Sequence, residues 1–100
     1  MKREYIMNVE DLIATLNQFS QEDSAASNSS FVYVFEAHVG RKYTKITRGY
    51  AGSRSAWCFI DAEGNLWKPA TYNAPTKNFS RGKVQDLYNK QFVLDRIYGI

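Results

Sequence analysis

Residues 56–68, AWCFIDAEGNLWK, decide the fold because they place two apolar runs on either side of a tight turn. Asp61 suits the first position of a type I turn, and Gly64 stands where the backbone needs a left-handed residue. This pattern predicts an antiparallel hairpin closed by a glycine bulge. The predicted pairs are Asp61 with Asn65, Ile60 with Leu66, Phe59 with Trp67 and Cys58 with Lys68.

Both faces of this hairpin are apolar. Alternation along the strands places Trp57, Phe59 and Trp67 on one face, and Cys58, Ile60 and Leu66 on the other. A helix is needed to cover only one of the two faces. The exposed trio would then form a hydrophobic hot spot, and we expect a small homo-oligomer, such as a dimer, to cover it.

Two further strands precede the hairpin. Residues 31–39, FVYVFEAHV, are rich in aromatic and β-branched side chains, and residues 42–48, KYTKITR, follow after Gly40 as an antiparallel partner. Residues 49–54, GYAGSR, are predicted to be a loop. On the far side of the hairpin, Pro69 is predicted to end the fourth strand, because proline cannot donate to a ladder.

Helices are predicted at both ends of this sheet. Residues 8–19 show helical spacing of apolar residues behind an N-cap, Asn8. Residues 20–30, SQEDSAASNSS, are predicted to be a flexible linker or long surface loop within a single domain, residues 1–100. A second helix is predicted from about residue 83, while residues 91–100 fit a helix or an edge strand equally well. The predicted class is α+β, with a four-stranded antiparallel sheet, an N-terminal helix and a C-terminal helix.

The sequence offers little for catalysis. A single cysteine, Cys58, allows no internal disulfide, and with a single histidine, His38, no zinc spacing can be written. Cys58 lies in an apolar strand and His38 has no carboxylate or cysteine placed locally to orient it. We therefore expect no enzyme activity, no cofactor and no metal. No apolar run approaches the length of a membrane span, so a cytoplasmic protein without membrane contact is expected.

Positive charge is concentrated in the middle of the chain. Residues 40–83 hold nine lysines and arginines against two acids, a balance of +7, whereas the remainder carries −4. Cations alternate with aromatic rings there, and this mixture attracts phosphates and offers bases a stacking surface. The candidate ligand-binding residues are Arg41, Lys42, Lys45, Arg48, Arg54, Trp67, Lys68, Tyr72, Lys77 and Arg81.

We expect these residues to form one basic-aromatic face that binds nucleic acid or a phosphorylated or cyclic nucleotide. Part of that face, residues 67–82, WKPATYNAPTKNFSRG, is predicted to be an irregular loop that faces the anion and is held by Pro69 and Pro75.

Four short motifs follow one another at long spacing over about residues 40–82. They are Lys42-Tyr43-Thr44-Lys45-Ile46, Lys68-Pro69-Ala70, Ala74-Pro75-Thr76-Lys77 and Arg81-Gly82. In this pattern the chain resembles a group of small uncharacterised proteins of tailed bacteriophages. The resemblance implies phage origin and a place in the host cytoplasm, and it points towards the accessory proteins that phages use against their hosts, including counter-defence.

Two other functions remain open at the level of sequence. The first is a protein-interaction module that inhibits a host or defence factor through the hot spot of Trp57, Phe59 and Trp67. The second is a minor virion component, in which the serine-rich stretch is a tether and the basic face touches packaged DNA.

Overall fold

A computed structural model describes residues 8–28 and 32–100. Five consecutive antiparallel strands form one sheet in the order β1-β2-β3-β4-β5. The elements in chain order are α1 (Val9–Ala26), β1 (Val34–Val39), β2 (Thr44–Tyr50), β3 (Ser53–Ile60), β4 (Leu66–Thr71), β5 (Ala74–Thr76), a 3₁₀ helix (Val84–Tyr88) and α2 (Lys90–Asp95). The predicted α+β class is confirmed, although the sheet has five strands rather than four.

The central hairpin has the predicted turn and register, except that the predicted pair of Cys58 with Lys68 is not formed. Ile60 pairs with Leu66 and Phe59 with Trp67, while Gly64 adopts a φ of +84°. One carboxylate oxygen of Asp61 accepts hydrogen bonds from the backbone N–H groups of residues 63 and 65, both at 2.9 Å. These local bonds close the turn without help from the rest of the fold, which is why the sequence predicts it well.

A β-bulge at Trp57 changes the faces of β3. The β2–β3 register shifts between Ile46, which pairs with Cys58, and Thr47, which pairs with Ala56. Trp57 is therefore the extra residue, and its side chain joins Cys58 in the hydrophobic core at 2% exposure. The prediction that Trp57 shares a face with Phe59 and Trp67 is wrong, because strict alternation does not pass through a bulge.

The helices lie on one side of the sheet, which we call the core face. The core contains Leu12 and Leu16 of α1 and Val93 of α2, packed against side chains from four strands. The sheet contributes Phe35, Ile46, Trp57, Cys58, Ile60 and Leu66. The opposite side, which carries Phe59 and Trp67 by alternation from Ile60 and Leu66, is called the outer face.

The first helix is longer than predicted. Asn8 caps it as expected, accepting a hydrogen bond from the backbone N–H of Asp11 at 2.9 Å. The helix continues to Ala26, so the prediction of a flexible linker is wrong for residues 20–26. Ser20 and Ser24 are buried, and the Ser20 hydroxyl donates to the backbone carbonyl of Tyr33 at 2.8 Å. Residues 29 and 30, the end of the same serine-rich stretch, and residue 31, the start of the first predicted strand, lie outside the described residues.

One side chain of α1 also protects the edge of the sheet. The amide of Asn17 accepts from the backbone N–H of Phe35 at 2.7 Å and donates to the carbonyl of the same residue at 3.1 Å. β1 is an edge strand, so the backbone N–H and C=O of Phe35 on its free edge have no neighbouring strand to pair with. Asn17 takes the place of that strand by bonding to both groups.

The β2–β3 connection is a two-residue turn rather than a six-residue loop. Strand β2 runs to Tyr50 and β3 starts at Ser53, so the predicted loop over residues 49–54 is wrong. The two turn residues, Ala51 and Gly52, have φ angles of +54° and +86°. Positive φ at both positions is the geometry that joins twisted strands most tightly, and alanine adopts it at a cost.

The stretch predicted as an irregular loop contains a second hairpin. Strand β4 continues through Pro69 to Thr71, and β5 includes Pro75, which pairs with Pro69. The β3–β4 pairing reaches only to the Phe59–Trp67 pair. Pro69 therefore does not have to donate a backbone hydrogen bond to β3, which it cannot do. The prediction that Pro69 ends the strand is therefore wrong, and only residues 77–82 of this stretch lack regular structure.

The C-terminal segment packs on the core face. Residues 90–95 are helical and residues 96–100 form no strand, which settles the choice left open for residues 91–100. The indole N–H of Trp57 donates to the carbonyl of Arg96 at 2.9 Å, and a guanidinium N–H of Arg48 donates to the carbonyl of Ile97. Among the described residues, no helix is long and apolar enough to cross a membrane.

Candidate functional site

Cations and aromatic rings from three strands and the segments next to them meet on the outer face. We call this group the cation–aromatic cluster. Its members are Tyr43, Lys45, Phe59, Trp67, Tyr72 and Lys77. Lys45 of β2 pairs with Phe59 of β3, which pairs in turn with Trp67 of β4, so the ladder itself places these three side chains in a row.

Lys45 connects the sheet to the β4–β5 turn. Its Nζ lies 3.7 Å from the centroid of the Tyr72 ring and donates to the Tyr72 backbone carbonyl at 3.2 Å. The Asn73 side-chain oxygen lies 3.5 Å from the same nitrogen. These contacts are with neutral groups, so the charge of Lys45 is not cancelled.

Lys77, which follows β5, occupies a similar position over two rings. Its Nζ lies 4.5 Å from the centroid of Trp67 and 5.5 Å from that of Tyr43, whose hydroxyl accepts a hydrogen bond from it at 3.4 Å. Beneath them Phe59 is only 4% exposed and packs edge-on against Tyr43 with ring centroids 6.0 Å apart. Phe59 is therefore the floor of the cluster, whereas Tyr72, at 44% exposure, is open to solvent.

The hairpin turn fixes the orientation of Trp67. Its indole N–H donates to the second carboxylate oxygen of Asp61 at 3.0 Å. Burial raises the pKa of Asp61, but the hydrogen bonds from Asn65, Trp67 and Glu63 outweigh burial and hold that pKa below its ordinary value. Asp61 therefore stays ionised at neutral pH, and the rings of the cluster are held by the same residue that closes the turn.

Two of the predicted ligand-binding arginines lie elsewhere. Arg48 is on the core face, where its guanidinium carbon lies 4.6 Å from the ring centroid of Tyr33. Arg54 forms an ion pair with Glu36 at 3.1 Å. The prediction that the cations gather on a single face is therefore wrong for Arg48, and the charge of Arg54 is offset by a carboxylate.

The remaining predicted residues surround the cluster or follow it in the chain. Arg41 and Lys42 are exposed in the β1–β2 turn just before Tyr43. Lys68 is exposed on β4, but alternation from Trp67 turns it to the opposite side of the sheet from the cluster. The guanidinium carbon of Arg81 lies 4.2 Å from the ring centroid of Phe79, which is 58% exposed. In the described part of the chain, the Nε of Arg81 is buried without a hydrogen-bond partner.

Ion pairing separates these cations into two groups. Within residues 8–28 and 32–100, only Arg54 and Lys90 form ion pairs with carboxylates. Lys45, Lys77 and the cations around them have no carboxylate partner among the described residues, which leaves the outer face available to an anion.

The two side chains considered for catalysis, His38 and Cys58, have no activating partner among the described residues. The Nε2 of His38 lies 3.4 Å from the Thr47 hydroxyl, and none of the described carboxylates bonds to the ring. Cys58 is fully buried, and burial raises the pKa of its thiol far above the ordinary value. No group of three or more histidine, cysteine or acidic side chains within the described ranges is placed to hold a metal ion.

Sequence reasoning missed two members of the cluster, Tyr43 and Phe59. Tyr43 lies two positions before Lys45 and so shares its side of the strand, and this spacing was a usable signal. Phe59 was assigned to the correct face, but its role as a buried floor depends on the β4–β5 hairpin. The contact between Lys45 and Tyr72 joins residues 27 positions apart, which no local pattern reveals.

Residues 2–98 match the sequence profile of a family of unknown function, DUF7717. The chain belongs to this family. The matched residues include every strand and the whole cation–aromatic cluster of this DUF7717 member. No curated protein and no solved structure matches the chain.

Proposed function

We propose that this protein is a non-enzymatic binder of single-stranded nucleic acid, and that the cation–aromatic cluster is the binding surface. The observation that carries the proposal is the position of Lys45 and Lys77, whose ammonium groups lie over aromatic rings on the outer face without carboxylate partners. Such a surface attracts phosphates through its charge and offers rings to unpaired bases.

The arrangement suits a single strand better than a duplex. Bases can stack on aromatic side chains only when they are unpaired, and stacking contributes about 1–3 kcal/mol per base in proteins that use it. Tyr72 at the β4–β5 turn and Trp67 on β4 are the rings with surface left for a base, since Phe59 beneath them is buried. A four-stranded sheet that reads RNA with aromatic side chains on one open face uses the same physical arrangement.

Exposed cations around the cluster would extend the contact along the backbone of the strand. Arg41 and Lys42 are exposed just before Tyr43 in the chain. Each further phosphate contact releases a counterion, so affinity gained in this way falls as salt is added. A phosphorylated or cyclic nucleotide held by the same residues is the narrower form of this proposal, and it would make fewer phosphate contacts.

The phage resemblance gives the proposal a biological setting. An accessory protein of this kind would act in the host cytoplasm, where sequestering a nucleic acid or nucleotide signal would serve counter-defence. A small oligomer stays a prediction, and light scattering of the purified protein tests it.

A second candidate is a protein-interaction surface around Phe79. Of the three rings predicted to form an exposed hot spot, Trp57 and Phe59 are buried, so neither can contact a partner protein. Phe79 is the large apolar residue of the region that is most exposed, and Arg81 lies over its ring, a pairing of residue types common in interfaces. Under this candidate, Phe79→Ser abolishes capture of a host protein and leaves nucleic-acid binding unchanged.

Fluorescence anisotropy with a labelled oligothymidine tests the main proposal. We expect binding by the wild-type protein, weaker binding to the matching duplex, and loss of affinity in Lys77→Gln and Tyr72→Ser. Lys90→Gln is the matched control, since Lys90 is paired with Glu22 on α1, away from the cluster. Equal affinity of the three variants, or preference for the duplex, would contradict the proposal.

A further inference from the structure

The first strand of the sheet, β1, has a free edge over residues 37–39. In an antiparallel strand, the backbone groups of successive residues point alternately towards one neighbour and away from it. Both backbone groups of Phe35 point away from β2, since both bond to the Asn17 amide. The β1–β2 register runs without a shift to Val39, so the N–H and C=O groups of Ala37 and Val39 also point away from β2. No described residue bonds to these groups.

A groove opens beside this free edge, between β1 and the first turns of α1. It has a volume of about 520 Å³, and we call it the edge groove. It is lined by Val9, Glu10, Ile13, Ala14, Glu36 and Ala37. The lining residues of α1 fall one turn apart, so they share one side of the helix, and apart from the two glutamates the lining is apolar. The edge groove shares no residue with the cation–aromatic cluster.

An extended segment is the shape that this edge accepts. Paired with Ala37 and Val39, it would make the backbone hydrogen bonds of a further strand of the sheet. Ala37 packs against the core from the same side of β1 as Phe35. The residue of the segment opposite Ala37 would point to that same side and enter the edge groove. Its neighbours along the segment would point to the outer face, where one of them lies opposite Glu36.

The charged side chains of the edge groove are both acidic. The Glu10 carboxylate has no ion-pair partner among the described residues. Glu36 pairs with Arg54, but its side chain is 43% exposed and its carboxylate can accept from a second cation. A lysine or arginine opposite Glu36 would form a favourable cross-strand pair. β1 itself, VFEAHV, contains no lysine or arginine, so a second copy of this strand lacks the complementary charge.

We propose that the free edge of β1 and the edge groove capture an extended segment of a partner protein, in which an apolar residue stands directly beside a lysine or arginine. Backbone pairing supplies affinity, whereas the groove and its two acids select the side chains. The segment is short, because Asn17 already occupies the edge at Phe35. This capture goes beyond the proposed nucleic-acid function and does not depend on it, since the cluster lies on the outer face.

Selection from a displayed library of random short peptides, with the full chain immobilised, tests the proposal. We expect enrichment of peptides in which valine, isoleucine or leucine stands directly beside lysine or arginine. An enriched peptide that carries a fluorescent label should bind the protein in fluorescence anisotropy. The same peptide, N-methylated at its apolar residue, should bind at least about tenfold more weakly, because that residue can no longer donate to the carbonyl of Ala37.

Two variants of the edge and one control locate the binding. Ala37→Pro removes an N–H that does not bond to β2, so β1 should still form. Ala14→Arg fills the edge groove with a cation at an exposed position of α1. Each should weaken peptide binding by at least about tenfold. Lys77→Gln, in the cation–aromatic cluster, should leave it unchanged.

The proposal is overturned if no peptide is enriched, if the enriched peptides lack the basic residue, or if Ala37→Pro or Ala14→Arg binds as tightly as the wild type. Loss of binding in Lys77→Gln would also overturn it, since the peptide would then occupy the cluster. A wild-type dimer in light scattering that Ala37→Pro converts into a monomer would show that a second copy occupies the edge instead.

Discussion

Replacement of Asn17 by alanine should destabilise the protein more than its position on a helix surface suggests. Asn17 makes two hydrogen bonds to the backbone of Phe35, at 2.7 and 3.1 Å, across the edge of β1. Asn17→Ala removes both and leaves the backbone N–H and C=O of Phe35 without their partner.

The expected magnitude follows from these two bonds. Each contributes about 1 kcal/mol net, which gives about 2 kcal/mol for the pair. Alanine is a better helix former than asparagine by about 0.5 kcal/mol, and this gain offsets part of the loss. The free energy of unfolding should therefore fall by about 1.5 kcal/mol.

Urea denaturation followed by tryptophan fluorescence measures this change, because Trp57 is buried in the core and reports its unfolding. The matched control is Gln18→Ala, one position along α1, because the Gln18 amide donates to Glu22 of the same helix and not to the sheet. The control should change the free energy of unfolding by less than about 0.5 kcal/mol. If Asn17→Ala is as mild as the control, Asn17 does not stabilise the sheet edge, and the account of how α1 docks is wrong.

Three further predictions concern the turns and the buried thiol. Ala51→Asn should raise the free energy of unfolding by about 0.5–1 kcal/mol, since asparagine tolerates the left-handed φ of +54° better than alanine does; a lower urea midpoint would contradict this. Because the pKa of Asp61 is lower in the folded protein than its ordinary value of 3.8, ionised Asp61 stabilises the fold fully at pH values above 3.8. That stabilisation is lost as the pH falls through the pKa of Asp61 in the folded protein. Thermal melts in acid should accordingly show a shallower loss of stability for Asp61→Asn than for wild type, and parallel curves would refute the role of Asp61. Cys58 should resist a thiol reagent under native conditions and react fully in denaturant, because the thiol is buried and its pKa is raised; rapid native labelling would show that the core opens.

Features that depend on neighbouring residues could be predicted from the sequence. The turn at Asp61 and Gly64 and the cap at Asn8 are closed by bonds within a few positions, so residue type alone indicates them. The alternation of Phe59 and Ile60 similarly gives the correct faces, because no irregularity interrupts the strand between them.

Features that depend on distant partners could not be predicted. Ser20 lies in a stretch with the composition of a linker, and the sequence does not show that its hydroxyl donates to the carbonyl of Tyr33, 13 positions away. Trp57 changes face because β3 carries a bulge where it pairs with β2. Pro69 is tolerated within β4 only because the ladder with β3 stops before it.

The candidate site also has features that the sequence predicts and features that depend on distant partners. The concentration of cations between residues 40 and 83 is visible in the sequence and predicts a basic region. Whether a cation has a carboxylate partner depends on the three-dimensional fold. Arg54 pairs with Glu36, and Arg48 lies on the core face. The contacts of Lys45 and Lys77 are with neutral groups.

The salt dependence of oligothymidine binding tests the central claim most directly. For a single strand, the logarithm of affinity falls against the logarithm of salt concentration with a slope of about 0.7 per phosphate contact. Between about 50 and 200 mM salt, the double variant Lys45→Gln/Lys77→Gln should show a slope shallower than wild type by about 1.4, since it loses two contacts. The control Lys90→Gln should keep the wild-type slope, whereas a wild-type affinity that does not change with salt, or a double variant with an unchanged slope, would contradict the account.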